Sequence, residues 1–328
     1  MRLSELLIAL AACAAPVLAQ TNDYRLALPD HKGQLEWSIG GFKIVENSAK
    51  PNGREIGVRG LDASGRLTFL GFLFLVPESD PLTSAKCRDS AIAQEKKADA
   101  TLKILKTDEI SRPSGLPVAF ATYAATDRGG ALAYRVRAFV AAEDICGDLE
   151  FYSRKPISDE DTDLKKALQS YQLDLNYSPQ FSDVALYAQV LFQHHDYKAA
   201  APLFGRALTI VPPDGGGFKS ATLARRIMRD QAGMSYGISG DLKMARRILE
   251  AGSAEDPDYP MNYYNLACAD AGEKNLSDAR THLQQAFDRK ANMNPGEKMP
   301  IPAEDDSFLP YKSNQEFWTF IERLGGGK

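Results

Sequence analysis

Few side chains in this 328-residue sequence are placed for chemistry, and their spacing decides what each could do. His194-His195 offers two adjacent imidazoles, the start of a metal half-site. No second cluster of Cys, His or paired carboxylates accompanies them, so a solvated or capping role at a helix end is the better reading. Arg225-Arg226, Arg229, Lys243 and Arg246-Arg247 concentrate cations on one helix pair, which could hold an anionic partner or a lipid headgroup. Asp230, Asp241 and Glu250 lie among them, and a solvated, ion-paired helical face is the commoner explanation. Residues 214–220 are Gly-rich and end in Lys219-Ser220, but Phe218 stands where a phosphate loop needs Gly, and no strand leads into it. Asp159, Glu160, Asp161 and Asp163 precede a helix, whose N-terminal dipole accounts for them. No G-x-S-x-G, H-E-x-x-H or dinucleotide glycine fingerprint occurs. The expectation is no catalytic residue, no cofactor and no metal.

The four cysteines separate by position. Cys13 lies in the leader, Cys87 and Cys146 in one β-rich region, and Cys268 in a helix, where a small half-buried thiol is expected. In an oxidising compartment Cys87 and Cys146 are to be tested first as a disulfide, worth up to roughly 4 kcal/mol by chain entropy. They show no C-x-x-C spacing and no activating neighbour that would favour a redox role.

That compartment is itself readable. Residues 1–19 carry Arg2, an apolar run from Leu6 to Ala15, and a small-residue site ending at Ala19, the layout of a secretory signal peptide. The run is too short to span a bilayer, and no second transmembrane candidate follows. A competing reading takes Leu10-Ala11-Ala12-Cys13 as similar to a bacterial lipoprotein box with Cys13 lipidated. The expected location is periplasmic or extracellular, with envelope association as an alternative. A net charge of -4 leaves no general footprint for nucleic acid.

The elements that must position these side chains change character near Pro156. Within residues 20–156, strand-like runs at 24–28, 35–38, 42–46, 54–60, 67–76, 102–110, 118–125, 131–140 and 148–153 are separated by Gly, Pro, Asn and Asp turns. One helical stretch, 83–98, interrupts them, with Ser84 as a capping residue. Strands without βαβ alternation predict an α+β domain, an antiparallel sheet with one covering helix.

From residue 157 to 306 the period becomes helical, and small residues recur. Asp196-Tyr197 is followed by Ala200, Phe204, Ala207 and Pro212; Gly240-Asp241 by Ala245, Leu249 and Asp256-Pro257; and Tyr263 and Leu266-Ala267 by Ala279, Leu283 and Ala286. Ala245 and Ala279 are one 34-residue period apart, and Ala200 precedes Ala245 by that period plus an insertion at 214–220. This register resembles the tetratricopeptide repeat (TPR), with units near 181–214, 226–259 and 260–293, a half repeat at 159–180, and a capping helix and tail at 307–328. Departures from the family pattern include Gly252 where Ala is usual and Leu191 where Tyr is common.

The resemblance implies an all-α solenoid whose A-helices line a concave groove for a peptide or protein partner. Carried over by position, the groove residues are Gln189, Phe192, Gln193, Asp230, Met234 and Tyr264, with Cys268 beside them. The positions of a carboxylate clamp hold Ser182, Ala185 and Gln189, which disfavours that mode. The sequence therefore predicts an exported bacterial scaffold that is not an enzyme. The alternatives are a small ligand or a cryptic hydrolase site in the N-terminal domain, or a purely structural envelope protein.

Overall fold

The computed structural model describes residues 23–77, 81–113, 115–126, 130–158 and 161–325. The expected leader, 1–19, lies outside them. By packing, the chain divides into Gln20–Leu191 and Phe192–Lys328.

The first unit contains β1 (Asp23–Ala27), β2 (Gln34–Ser38), β3 (Phe42–Ala49), β4 (Glu55–Asp62), β5 (Thr68–Leu75), α1 (Ser84–Ala98), β6 (Lys103–Ile110), β7 (Val118–Thr126), β8 (Leu132–Ala142), β9 (Ile145–Ser153), α2 (Thr162–Ser170) and β10 (Gln172–Asp174). Seven strands form an antiparallel sheet in the order β3-β4-β5-β9-β8-β7-β6, and β1-β2-β10 form a second. Strand alternation separates the faces of β9. Cys146, Asp148 and Glu150 turn one way, where Cys146 is bonded to Cys87 of α1 and Asp148 meets Arg137 of β8. Gly147 and Phe151 turn the other way, toward Leu35 of β2 and Phe42 of β3. On that side the Trp37 ring crosses Gly71, where an added Cβ would stand 2.7 Å from it, so this strand position admits no side chain.

Thr83, not Ser84, caps α1, accepting from Lys86 N at 3.2 Å. The Ser84 hydroxyl instead ties the helix down, donating to Pro117 O at 2.6 Å and accepting from Ala141 N at 3.1 Å. The segment expected as a half repeat is a nine-residue helix, α2, followed by β10, which pairs antiparallel with β2. Ser38 N donates to Ser170 Oγ at 2.7 Å, and Arg112 Nη2 donates to Leu168 O at 2.8 Å. These bonds join the region to the sheets, so the first unit runs on to Leu191 although composition shifts near Pro156.

Helix α3 (Phe181–Gln193) crosses the division between units. The second unit continues with α4 (Tyr197–Thr209), α5 (Ala221–Ile238), α6 (Leu242–Glu255), α7 (Pro260–Gly272), α8 (Leu276–Asp288) and α9 (Gln315–Gly325). One turn geometry recurs. His195, Gly240 and Lys274 have φ of 65°, 91° and 64°, and each stands just before the N-cap of a B-helix: Asp196, Asp241 and Asn275. A left-handed residue stops the A-helix and swings the chain back, and the Asp241 and Asn275 side chains accept the free amides of Met244 and Asp278. Ala200, Ala245 and Ala279 are fully buried where the helices cross, as the repeat register requires.

Candidate functional site on the A-helices

Helices α5 and α7 pack against each other. Asn265 of α7 donates from Nδ2 to the Asp230 carboxylate of α5. Asp230 is buried; desolvation, the larger cause, and repulsion from Glu297 lift its pKa to about 8, against this hydrogen bond. Arg229, one residue earlier, points toward α6. It passes over Gly252 and pairs with Glu255, so the departure from Ala at 252 makes room for this guanidinium. Around it Arg229 Nε and both polar atoms of Asn262 are buried without partners, as are Gln231 Oε1 and Ser235 Oγ. Interior water is the ordinary answer to such a group of atoms.

The chain after α8 returns across these helices. Tyr259 Oη donates to Glu297 at 3.2 Å and accepts from Asn294 Nδ2 at 3.1 Å. The Arg226 guanidinium, paired with Asp256 at 2.6 Å, lies 4.6 Å from the Tyr259 ring centroid and donates to Asn292 O at 3.3 Å. Tyr264 Oη donates to Asp305 Oδ2 at 2.9 Å, and its ring meets Phe308 edge-on at 6.0 Å. Tyr311 Oη donates to Ala271 O at the C-terminal end of α7. Burial and the nearby Asp305 carboxylate push the Tyr264 and Cys268 pKa values up. Helix α9 then seats Phe317, Trp318, Phe320 and Ile321 in the core formed with Ala279, Leu283 and Ala286 of α8.

The residues expected to line the groove thus have different surroundings. Asp230 and Tyr264 are buried, with Glu297 and Asp305 of the returning chain beside them. Met234 and Cys268 are half-buried, and Gln193 is exposed. Phe192 packs its ring against Tyr197 at 5.1 Å and Phe204 at 6.0 Å, and Gln189 belongs to the first unit. Tyr259, Asp305, Phe308 and Tyr311 carry the local contacts but were not singled out as groove positions. The run Ser307-Phe308-Leu309-Pro310-Tyr311 was legible only as an end piece.

Ion pairs take up half of the cationic cluster. Arg226 meets Asp256, Arg229 meets Glu255, and Arg246 meets buried Asp270 and Glu273, both at 2.5 Å. Arg225, Lys243 and Arg247 remain exposed. His195 Nδ1 lies 2.7 Å from Tyr197 Oη at the turn. Among the described residues no group of three or more His, Cys, Asp or Glu is placed to hold a metal.

The first unit has its own charged cluster where the C-terminal half of α1 covers the sheet. Arg137 contacts Asp148 at 2.5 Å and Glu95 at 3.3 Å, while Arg135 contacts Glu150 at 3.2 Å and Glu95 at 3.5 Å. Desolvation raises Asp148 and lifts Glu150 to about 6, against the pull of Arg137. Tyr123 Oη is buried there, with the Arg135 guanidinium 5.9 Å from its ring centroid. At the other end of α1, Cys87, Cys146 and Phe139 fill the helix-sheet interface.

The paired helices α5–α6 and α7–α8, joined by one turn geometry and closed by a terminal helix, place the second unit in the class of helical-repeat proteins, and that turn matches the tetratricopeptide spacing. Solved structures similar to this chain include TPR proteins. The Sgt2 TPR domain from Aspergillus fumigatus is 17% identical, with 46% of this chain and 84% of that one covered and a TM-score of 0.31. MamA residues 41 to the end, from Desulfovibrio magneticus RS-1, is 18% identical over 45% and 77%, with a TM-score of 0.32. The type III secretion translocator chaperone SycD from Yersinia enterocolitica is 14% identical over 44% and 90%, with a TM-score of 0.30. No family model and no curated protein matches the sequence.

Proposed function

We propose that the helical unit is a non-enzymatic interaction module that binds a peptide or protein segment along its A-helices, within an exported scaffold protein. One observation carries this reading: the A-helix face already holds a turn-rich segment of polypeptide, residues 294–311, with 3-10 turns at Pro302–Glu304 and Leu309–Tyr311, through two tyrosine hydroxyls and an aromatic wedge. Within the helical unit, Gln193 is exposed and Met234 half-buried, and these offer surface to a partner, with Phe192, Asp230 and Tyr264 beside them as buried positions of the proposed set; Gln189, the remaining expected position, lies in the first unit. Export is supported by the leader-like residues 1–19 and by the Cys87–Cys146 bond. No helix of the described residues is long and apolar enough to cross a membrane.

A photo-crosslinking residue at Met234 or Gln193 of the exported full chain should capture one specific protein. A specific product from a crosslinker at Phe72 of β5, with none from the two helical positions, would move the binding role to the first unit. The second reading gives that unit a small polar ligand, and the convergence of Glu95, Arg135, Arg137, Asp148 and Glu150 beside the buried Tyr123 favours it.

A further inference from the structure

Resting on the peptide-binding reading of the A-helix face, we propose that residues 294–311 are an internal ligand. The external partner is then a segment of the same chemistry: a carboxylate, an aromatic ring three positions later, and a phenol three positions after that.

Receptor and ligand groups match in register. Tyr264, Cys268 and Ala271 stand at i, i+4 and i+7 of α7, a single stripe about 10 Å long. Against it the returning chain sets Asp305, Phe308 and Tyr311 at i, i+3 and i+6, one to each kind of receptor atom. The Tyr264 hydroxyl donates to the carboxylate, the Tyr264 ring meets the Phe308 ring, and the Ala271 carbonyl at the helix end accepts from the phenol. None of these receptor groups requires its ligand to come from the same chain.

The segment is also held at points rather than along its length. Between Asn292 and Asn314 only Asn294, Pro302 and Phe308 are buried, whereas the helix that follows buries four large side chains in a row of five. A segment that buries so few of its residues fully is suited to exchange, with Phe308 and Tyr311 leaving the Phe317 ring of α9 as it does so. Competition from the tethered segment keeps the affinity for a free partner low until the anchors are weakened.

The test uses the full chain and a fluorescein-labelled synthetic peptide of residues 294–313, read by fluorescence anisotropy. Asp305→Asn combined with Tyr311→Phe removes two polar anchors and leaves the Phe308 wedge in place, so the fold survives, as circular dichroism would verify. The double variant should bind the peptide at least about tenfold more tightly than the natural chain, and adding Tyr264→Phe to it should abolish the gain. Excess unlabelled peptide should at the same time speed amide exchange across residues 294–311. Equal peptide affinity for the natural and double-variant chains, or a gain that survives Tyr264→Phe, would overturn the proposal. A specific Met234 crosslink in that case leaves the scaffold reading standing, and peptide exchange without any crosslinked partner removes only the scaffold reading.

Discussion

Replacing Asp230 by Asn should stabilise the helical unit at and above neutral pH, and the surroundings of the carboxyl set the size of the effect. Asp230 is buried, accepts one hydrogen bond from Asn265 and faces Glu297, so its pKa stands near 8 instead of 3.8. Because the folded state holds the proton more tightly, this group's contribution to stability is complete below pH 3.8 and is lost as the pH rises to about 8. Each pH unit in that window is worth about 1.4 kcal/mol, which gives an upper figure of roughly 6 kcal/mol. Relaxation around the ion trims this, and a net gain of about 2–4 kcal/mol is expected for Asp230→Asn at pH 8. Asn keeps the acceptor for Asn265 and never ionises. The assay is urea unfolding from pH 5 to 9, followed by Trp318 fluorescence in a Trp37→Phe background, so that the signal belongs to the helical unit. The natural side chain should lose stability with rising pH relative to Asn, and the two curves should run level above about pH 8.5. Parallel curves across the range, or an Asn variant weaker at every pH, would refute the account.

Gly252→Ala should cost about 1–3 kcal/mol, because a Cβ there runs into Arg229 Cδ and stands 2.7 Å from Asn262 Oδ1; urea midpoints of the helical unit measure it. Reducing Cys87–Cys146, or replacing both by Ser, should lower first-unit stability by roughly 4 kcal/mol for a loop of 59 residues, seen as a lower Trp37 unfolding midpoint. Lys274→Gly should raise stability by about 0.5–1 kcal/mol, since Lys274 holds φ at 64°, and an unchanged melting temperature would count against strain at that turn.

Much of the architecture could be read along the chain. The strands of the large sheet announce themselves by alternation between turn residues, and the helix pairs by a 34-residue recurrence of small side chains. The left-handed position was visible only at Gly240, because His195 and Lys274 carry no propensity signal for it and the turn imposes the conformation on them. Asp230 was legible as a groove position but its burial was not, since that depends on chain brought back from more than sixty residues away, at Glu297. The disulfide followed from the two cysteines of one β-rich region. The charged cluster of Glu95, Arg135, Arg137, Asp148 and Glu150 escaped notice because its members come from a helix and two strands, and only sheet register brings them together.

What the sequence by itself determined is local and periodic: where helices pair and where strands run, set by backbone sterics and by the 2.0 and 3.6 spacings of apolar side chains. What only the tertiary structure decided is which distant segments meet. Residues 172–174 are too few to signal a strand, and they become one because β2 presents unpaired amides and carbonyls to them. The residues after α8 look like tail, yet they lie on α7, because a solenoid end exposes apolar surface and hydroxyl donors that the nearest free chain can satisfy. Both outcomes turn on backbone and side-chain groups whose partners are remote in sequence, and no local pattern encodes them.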